Sequence, residues 1–428
     1  MTDMTASAAD ATPAVAGGQV LAADGTPLRK KLAQALFVSR VRAFGLVAPL
    51  LLFILASFII PIFLLLWQGI NNNTYAKNMP ASAELLGVWD AESEPDEAMH
   101  AALVQDLIAA RETKTIGKVA TRVNQELSGT RSLFTSTARK AKKMEPPFKE
   151  ALLDADGDWG DIGVWQAMKV AAKSTTPAFL AAAMDFEYKA DGSFERVEER
   201  KRIYLWLFVK TILVALAVTI LCILLGYPVA YLLAHLPVKT SNLLMILVLL
   251  PFWTSLLVRT TAWIAMLQSE GVLNDLSVTF GLTSDDQRFS LIYNMTGTLV
   301  AMTHILLPFM ILPLYSVMKT IPPSYMRAAK SLGATNWTAF WRVYAPQTVP
   351  GIGAGSLLVF ILAIGYYITP ALVGGQDGQL ISNFIAYHMQ KSLNWSLAAA
   401  LAIFLLVVVL ALYWIYDRIV GIDNMKLG

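Results

Sequence analysis

The sequence contains little cysteine and little charge, and its apolar stretches contain almost no acidic residues. One cysteine, Cys222, occurs in 428 residues, which excludes a disulfide framework and a thiolate metal site. Charged residues make up only 15% of the chain, whereas soluble domains average about 25%. The formal net charge of +3 is too small for the cationic surface that follows nucleic acid. We therefore exclude a soluble cytoplasmic enzyme, a disulfide-rich secreted domain and a nucleic-acid-binding protein.

Long apolar runs are the main feature of the sequence. Hydrophobic residues make up 56% of the chain, and a bilayer about 30 Å thick requires roughly 20 such residues for each helical span. The first run is too long for a signal-peptide core and lacks a small-residue cleavage site, so we expect an uncleaved span. The predicted fold class is an all-α integral membrane protein with six transmembrane helices, at 44–70, 204–235, 241–268, 296–319, 350–373 and 396–417.

The distribution of Lys and Arg predicts the orientation of these spans. Basic residues precede the first span and recur between the fourth and fifth spans, at Arg29, Lys30, Lys31, Arg40, Arg42, Arg327, Lys330 and Arg342. Because basic residues of short loops stay on the cytoplasmic side, we expect both termini to be cytoplasmic. Residues 1–43 are predicted to be a disordered basic tail and residues 421–428 a second cytoplasmic tail.

The connection between the first two spans, residues 71–203, is unusually long and polar. Within 97–112 the apolar residues Met99, Leu103, Leu107 and Ile108 recur at helical spacing, which indicates a helix with one packed face. Further helical windows occur at 114–128, 161–173 and 178–184. We expect a small, mostly helical, external (periplasmic) domain, which we call the insertion.

The connection between the fourth and fifth spans, residues 320–349, has the pattern of two short helices. Ser324 is a candidate cap for the first helix, and Gly333 can supply the left-handed residue that ends it. Asn336 is a candidate cap for the second helix. A loop too polar to span and too short to be a domain suits the docking of a soluble partner at the cytoplasmic face.

Within this loop, Ala328-Ala329, Gly333-Ala334 and a proline thirteen positions after the glycine, Pro346, resemble the EAA loop of ABC-importer permeases. The resemblance implies that 204–420 is a type I permease core, and that the loop docks into a cytoplasmic ATPase and couples its closure to alternating access. The candidate coupling residues are Arg327, Ala328, Ala329, Gly333, Ala334 and Pro346. Arg327 stands where the family usually has Glu, so either the ATPase carries a compensating acid or this loop is the more weakly coupled of two.

Three further segments, 225–231, 251–259 and 304–310, resemble the first permease subunit of spermidine/putrescine importers. The resemblance implies a multi-pass bacterial inner-membrane subunit, in contact with membrane lipid, that carries polyamines or related small cationic solutes. The sequence leaves open which of the polyamines, opines and other small solutes is the substrate. The implied partners are two ABC ATPase copies, a second homologous permease and a periplasmic solute-binding protein. ATP and Mg²⁺ would bind the ATPase, so this chain is expected to hold no cofactor and to be no enzyme. The insertion departs from the usual short loop after the first span.

The residue content of the spans supports an energy source that lies on another chain. The spans have no Asp or Glu away from the helix ends, although such acids are the usual relays of secondary transporters. The chain also lacks a phosphate-binding Gly-rich loop. Two other functions stay open: a stand-alone secondary transporter or channel, and a membrane-anchored interaction protein that acts through residues 71–203.

Candidate pathway residues are an intramembrane cation and several aromatic residues: Arg259, Trp253, Trp263, Tyr366 and Tyr367. Arg259 would be costly facing lipid, so it either pairs structurally or acts in gating. Aromatic faces attract ammonium groups, but aromatic residues near span ends also serve as interfacial anchors. Glu270, Asp275 and Asp377 are candidate acids for external docking or for attracting cations. The alternative interpretation is that they are ordinary solvated loop residues.

Small residues and histidines complete the sequence-based expectations. Gly351 and Gly355 allow close helix approach, either within the chain or against a second permease. The histidines are too scattered for a metal cluster, and no metal site is predicted.

Overall fold

The computed structural model describes residues 15–16, 19–20 and 28–420, which fall into two units divided after Leu65. Most of the predicted amino-terminal tail and all of the tail at 421–428 lie outside the described residues. Within unit one, strands β1 (Val15–Ala16) and β2 (Gln19–Val20) pair antiparallel.

Helix α1 (Leu28–Ile54) continues through a π-helical segment (Leu55–Ile59) into α2 (Ile60–Trp67). The prediction of disorder up to residue 43 was therefore wrong for residues 28–43. Apolar residues such as Leu28, Leu32 and Leu36 recur there at helical spacing, so the helix starts well before the continuous apolar run.

The insertion consists of short helices and one hairpin. Its elements are α3 (Thr74–Asn78), α4 (Pro80–Val88), α5 (Glu97–Glu112), α6 (Ile116–Glu126), α7 (Thr130–Lys140), α8 (Phe148–Ala155), α9 (Ile162–Ala172), α10 (Ala178–Ala183), β3 (Phe186–Tyr188) and β4 (Phe194–Arg196). The helices at 97–112, 114–128, 161–173 and 178–184 were predicted. The hairpin and the helices α3, α4, α7 and α8 were not, because they are too short to show a clear period.

The insertion has a hydrophobic core of its own. Trp159 and Trp165 are buried and meet edge to face with 6.1 Å between ring centroids. Their indole N–H groups donate to Thr137 Oγ1 at 2.9 Å and to the Trp159 carbonyl at 3.0 Å. Buried Asp106 accepts from the backbone N–H and the hydroxyl of Ser82, both at 2.7 Å, and so satisfies the first turn of α4.

The end of the insertion joins the membrane helices. The remaining elements are α11 (Tyr204–His235), α12 (Val238–Leu249), α13 (Leu256–Leu267), α14 (Val272–Thr279), α15 (Met295–Thr320), α16 (Pro323–Ser331), α17 (Asn336–Ala339), α18 (Ala345–Gly365), α19 (Ile368–Val373), α20 (Ile381–Gln390) and α21 (Trp395–Val420). Asp185 accepts hydrogen bonds from the N–H groups of residues 203, 204 and 205 and thereby caps α11. Phe179 of α10 packs in a cluster with Leu207 and Leu401 of the membrane helices.

Among the described residues, five helical stretches are long and apolar enough to cross a membrane: Leu32–Trp67, Tyr204–His235, Met295–Thr320, Asn336–Gly365 and Trp395–Arg418. A bent pair, Val238–Trp253 with Leu256–Thr279, makes six if it is one span. The predicted all-α membrane fold is confirmed.

The third predicted span is not straight, because the two helices of the pair differ in direction by 98°. Pro251 lacks an N–H and lies two positions after Leu249, the last residue of α12, so the α-helix cannot continue regularly there. Ser255 then starts α13, accepting a hydrogen bond from Val258 N–H at 3.2 Å. The expectation of one continuous helix over 241–268 was wrong for this reason.

The fifth predicted span is also interrupted. Helix α18 ends at Gly365 and α19 starts at Ile368, since Pro370 could not accommodate the carbonyl of Tyr366 in a continuous helix. Side chains of α20 satisfy backbone groups at the break: Ser382 donates to the Ile364 carbonyl and Asn383 to the Tyr367 carbonyl, both at 2.7 Å. Such pairing is what permits a broken helix within a membrane.

Helices α11, α15 and α18 form the centre of the bundle. A Cβ on Gly351 would lie 3.1 Å from Val317 Cβ, and one on Gly355 would lie 2.7 Å from Met310 Sδ. Both glycines therefore face α15 and allow close packing inside the chain, which favours the internal alternative over contact with a second permease.

Candidate functional site

Helix α16 of the loop 320–349 lies on the protein surface and buries none of its residues. Arg327 and Ala328 are exposed and Ala329 is half-buried. The helix begins with Pro323 at its first position, and Ser324 does not cap it, contrary to the sequence-based expectation. Proline suits this position because its missing N–H has no partner in the first turn and its φ is already helical.

Gly333 ends α16 as expected. Its φ is +90°, a left-handed conformation that glycine adopts without steric cost. Gly333 N–H donates to the Lys330 carbonyl and Ala334 N–H to the Ala329 carbonyl, both at 3.0 Å, the two bonds of a Schellman motif. A Cβ on Gly333 would meet open space, so its backbone conformation alone requires glycine.

The second loop helix, α17, is capped by Thr335 rather than by Asn336. Thr335 Oγ1 accepts from Thr338 N–H at 3.2 Å. The expected cap was therefore misplaced by one position, since Asn and Thr are both good caps and adjacent in sequence. Helix α17 continues through a π-helical segment (Phe340–Tyr344) into α18, whose first turn contains the exposed Pro346.

Large apolar side chains on this loop are open to solvent. Leu332 is 89% exposed, Trp337 71% and Trp341 55%. We call these three residues the exposed face. Single exposed apolar residues are ordinary, but several on one short loop are typical of an interaction surface.

Behind the exposed face lies an aromatic cluster that sequence reasoning missed. It joins the loop to the end of α11 and consists of Tyr227, Tyr231, His235, Phe340 and Tyr344. Tyr231 lies 5.7 Å from Phe340 and 5.3 Å from Tyr344, measured between ring centroids. The spacing of 227, 231 and 235 places these residues on one helix face, and this was the available signal. The cluster packs the end of the loop against α11.

One of the candidate pathway residues, Trp263, contacts a histidine. Trp263 Nε1 donates to His304 Nδ1 at 3.0 Å, and the two rings lie 5.2 Å apart between centroids. Arg259 Nε is buried without a hydrogen-bond partner among the described residues. Trp253 is different, because it lies at the bend of the third span and is 76% exposed. Tyr367 lies at the break after α18 and is partly exposed.

The candidate acids do not form one site. Asp275 makes an ion pair with Arg288 at 2.8 Å, and Asp285 pairs with the same guanidinium at 2.6 Å. The hydrogen bonds that the Arg288 guanidinium donates to Asp285, and secondly to Asp275, raise the pKa of Arg288 above its usual value. Glu270 and Asp377 are exposed, and Asp377 belongs to a glycine-rich turn. The charge of Asp275 is thus neutralised by Arg288.

No group of three His, Cys, Asp or Glu residues that could hold a metal occurs in the described part of the chain.

The chain is similar to a known protein family and to individual curated proteins. A family model described as "Binding-protein-dependent transport system inner membrane component" matches residues 222–420. The spermidine/putrescine transport system permease protein PotB of Haemophilus influenzae is 36% identical over 208 residues, which are 49% of this chain and 72% of that protein. PotB of Escherichia coli is 34% identical over 222 residues, or 51% and 80% of the two chains.

A solved structure, that of a bacterial alginate ABC transporter in complex with an alginate pentasaccharide-bound periplasmic protein, is also similar to this chain. The sequence identity is 20%, the TM-score is 0.43, and the match covers 52% of this chain and 81% of the other. The family match begins after the insertion, at residue 222.

Proposed function

Because the chain belongs to the family of inner membrane components of binding-protein-dependent transport systems, we propose that it forms half of a polyamine pathway in an ATP-driven importer. It is a permease subunit of an ABC importer and not an enzyme, since its relatives are permeases. The finer proposals concern its substrate, its orientation and the way in which ATP hydrolysis on another subunit moves it.

The exposed face of the loop is the observation that carries the proposal. We place the ATPase there, with Arg327 and Ala328 of α16 exposed beside Leu332 and Trp337. The Schellman motif at Gly333 holds the two loop helices in one arrangement. Movement of the ATPase would then act on α16 and α17 together.

The aromatic cluster would carry this movement into the membrane. Phe340 and Tyr344 lie in the segment leading to α18, while Tyr231 belongs to α11. Two helices that form the centre of the bundle would therefore move with the loop. This supports alternating access, in which closure of two ATPase copies reorients this permease and a second homologous one.

The polyamine assignment rests on the similarity to PotB proteins. The faces of Trp263 and Tyr366 offer weak contacts to an ammonium, each worth about 0.5–2 kcal/mol, which suit passage more than tight binding. Arg259 beside them carries the same charge sign as a polyamine, so we assign it to gating and not to direct contact. Opines and other small solutes are the competing substrates.

The proposed orientation has both termini in the cytoplasm and the insertion in the periplasm, where a solute-binding protein would deliver the substrate. The basic residues of the loop, Arg327, Lys330 and Arg342, support this orientation. The inner membrane itself follows from the family.

The proposal is tested by replacing the exposed face and measuring transport. In the native host, Leu332→Ser with Trp337→Ser should lower uptake of labelled putrescine and spermidine by about tenfold or more, because buried Trp contacts often dominate an interface. The ATPase should no longer co-purify, while the amount of chain in the membrane stays unchanged. Phe280→Ser is the matched control, because Phe280 is equally exposed but lies outside the loop.

Each outcome is informative. Uptake of octopine but not of polyamines, lost in the same variant, would retain the coupling role and change the substrate. Normal uptake without any co-purifying ATPase would favour a stand-alone transporter. Unchanged transport on complete removal of the chain would favour an interaction protein that acts through the insertion.

A further inference from the structure

A polar pocket of about 650 Å³ lies between α6 of the insertion, residues 68–74 and the start of α21. Asn72 Nδ2 donates to Ser396 Oγ at 2.9 Å and closes one wall. Trp395 also lines the pocket and opens α21. A Trp at the end of a span is typical of the membrane surface, which supports a position of the pocket at the depth of lipid headgroups.

The pocket is positively charged. Lys118 and Arg122, one turn apart on α6, line it, and none of the described residues in its lining is acidic. Arg122 is only 2% exposed. Its Nη1 donates to Glu126 Oε1 at 2.5 Å, while its guanidinium lies 4.7 Å from the centre of the Phe179 ring.

Arg122 has donors that this fold leaves unused. Its Nε and Nη2 atoms are buried and have no hydrogen-bond partner among the described residues, and neither has Gln125 Oε1. Leaving charged donors buried and unsatisfied is unfavourable, and an acceptor that enters the pocket removes this penalty. Glu126 compensates one of the two positive charges, so the net charge suits a monoanion.

The rest of the lining consists largely of amides and hydroxyls, including those of Asn72, Gln125 and Ser396. Such groups bind hydroxyl-bearing ligands, while guanidinium and ammonium groups bind phosphate oxygens. A ligand that combines both features is a monoanionic phosphate diester with attached hydroxyl groups.

We propose that this pocket binds the glycerophosphate headgroup of phosphatidylglycerol at the membrane surface. The phosphate would contact Arg122 and Lys118, and the glycerol hydroxyls would contact Asn72 and Gln125. A lipid bound there bridges the insertion and the start of the sixth span. A soluble glycerophosphodiester such as glycerophosphoglycerol has the same chemistry and is the other source to be distinguished.

The test uses the full chain in nanodiscs that contain equal amounts of phosphatidylglycerol and phosphatidylcholine, with retained lipids counted by native mass spectrometry. Gly117→Leu places a side chain into the pocket, because a Cβ at Gly117 meets no atom within 4 Å. We expect the wild type to retain phosphatidylglycerol in preference to phosphatidylcholine by about fivefold, and Gly117→Leu to lose this preference. Gly87→Leu is the matched control, because Gly87 is also a helical glycine of the insertion with open space around it and does not line the pocket.

Arg122→Met should have the same effect as Gly117→Leu. Since Arg122 is buried and that variant can fail to fold, Lys118→Ala supplies an exposed alternative on the same wall. Displacement of the lipid from the wild type by millimolar glycerophosphoglycerol, a soluble monoanionic diester, would assign a soluble source, and resistance to it would assign the lipid. Equal retention of both lipids by the wild type would overturn the proposal, as would a preference that survives both Gly117→Leu and Lys118→Ala. Neither result depends on ATPase docking.

Discussion

At the scale of single residues, a few positions have roles that follow from backbone geometry. Gly333 lies at φ +90° and lets the two loop helices join. Asp185 also has a positive φ, +60°, and its carboxylate caps α11 through three backbone N–H groups. Aspartate is among the few residues other than glycine that visit this region readily, so the conformation and the capping role are compatible.

Gly333→Ala should weaken coupling. The added Cβ meets open space, so the expected cost of about 1 kcal/mol arises only from the left-handed backbone conformation. We expect lower polyamine uptake and less ATPase bound to the purified complex. Gly333→Asn should retain more uptake than Gly333→Ala, because Asn tolerates this conformation better.

The control for this prediction is Gly87→Ala. Gly87 is exposed and helical, does not have a positive φ, and a Cβ added there would meet no atom within 4 Å, so this variant should transport normally. Equal uptake by the Ala and Asn variants of Gly333 would show that left-handed strain does not limit coupling.

At the scale of elements, aromatic side chains connect the loop to the bundle. Phe340 contacts Tyr227 and Tyr231 of α11 with ring centroids 6.2 and 5.7 Å apart. Lys319 Nζ, at the end of α15, donates to the Ala234 carbonyl of α11 at 3.3 Å. The ends of α11, α15 and α18 thus contact one another beside α16. Displacement of the loop should therefore move all three helices.

Phe340→Ala should uncouple transport from ATP hydrolysis. The loss of ring contacts should lower stability by about 2 kcal/mol, less than for a fully buried Phe, because Phe340 is half-buried. The exposed face keeps all three of its side chains, although Trp341 loses its contact with the Phe340 ring, so the ATPase should still co-purify while uptake per ATP hydrolysed falls. This pattern differs from the one expected for Leu332→Ser with Trp337→Ser, in which association of the ATPase itself should be lost.

Tyr344→Phe is the conservative control in the same cluster. The Tyr344 hydroxyl has no hydrogen-bond partner among the described residues, so its removal should leave both stability and coupling unchanged. Loss of ATPase binding in Phe340→Ala would contradict the assignment of the cluster to transmission.

At the scale of the whole molecule, the insertion and the membrane helices have separate cores. The core of the insertion includes Tyr75, Phe134, Trp159 and Trp165. Helix α10 differs, because Phe179 and Ala183 pack with membrane helices. The predicted domain of residues 71–203 therefore contains a self-contained part and a segment that is packed against the bundle.

Residues 73–177 should fold in isolation. We expect a helical far-ultraviolet circular dichroism spectrum, a near-ultraviolet signal from the packed Trp159 and Trp165, and one cooperative thermal transition. The same fragment with Asp106→Ala should unfold at lower temperature, because Ser82 loses its buried hydrogen-bond acceptor. A disordered fragment would show that the insertion depends on the membrane helices for its fold.

The membrane class, the places of the spans and the glycine that ends α16 were all predictable from local sequence. Lipid requires long apolar runs, and a left-handed helix end strongly favours glycine, so these features appear within a few neighbouring residues. The bend at Pro251 and the break before Pro370 were predictable in principle, since proline restricts continuous helices. They were missed because bundle packing can also retain proline within a span.

The sequence by itself therefore determined that this chain spans the membrane and carries a two-helix loop with the pattern of a docking element. Only the tertiary structure decided that Trp263 meets His304, 41 positions away, that Asp185 caps α11, and that Arg122 faces a polar pocket. Local propensity depends on neighbours along the chain, whereas these contacts depend on which helix faces pack together. Hydrophobic burial determines that packing over the whole molecule, and no short window of sequence contains it.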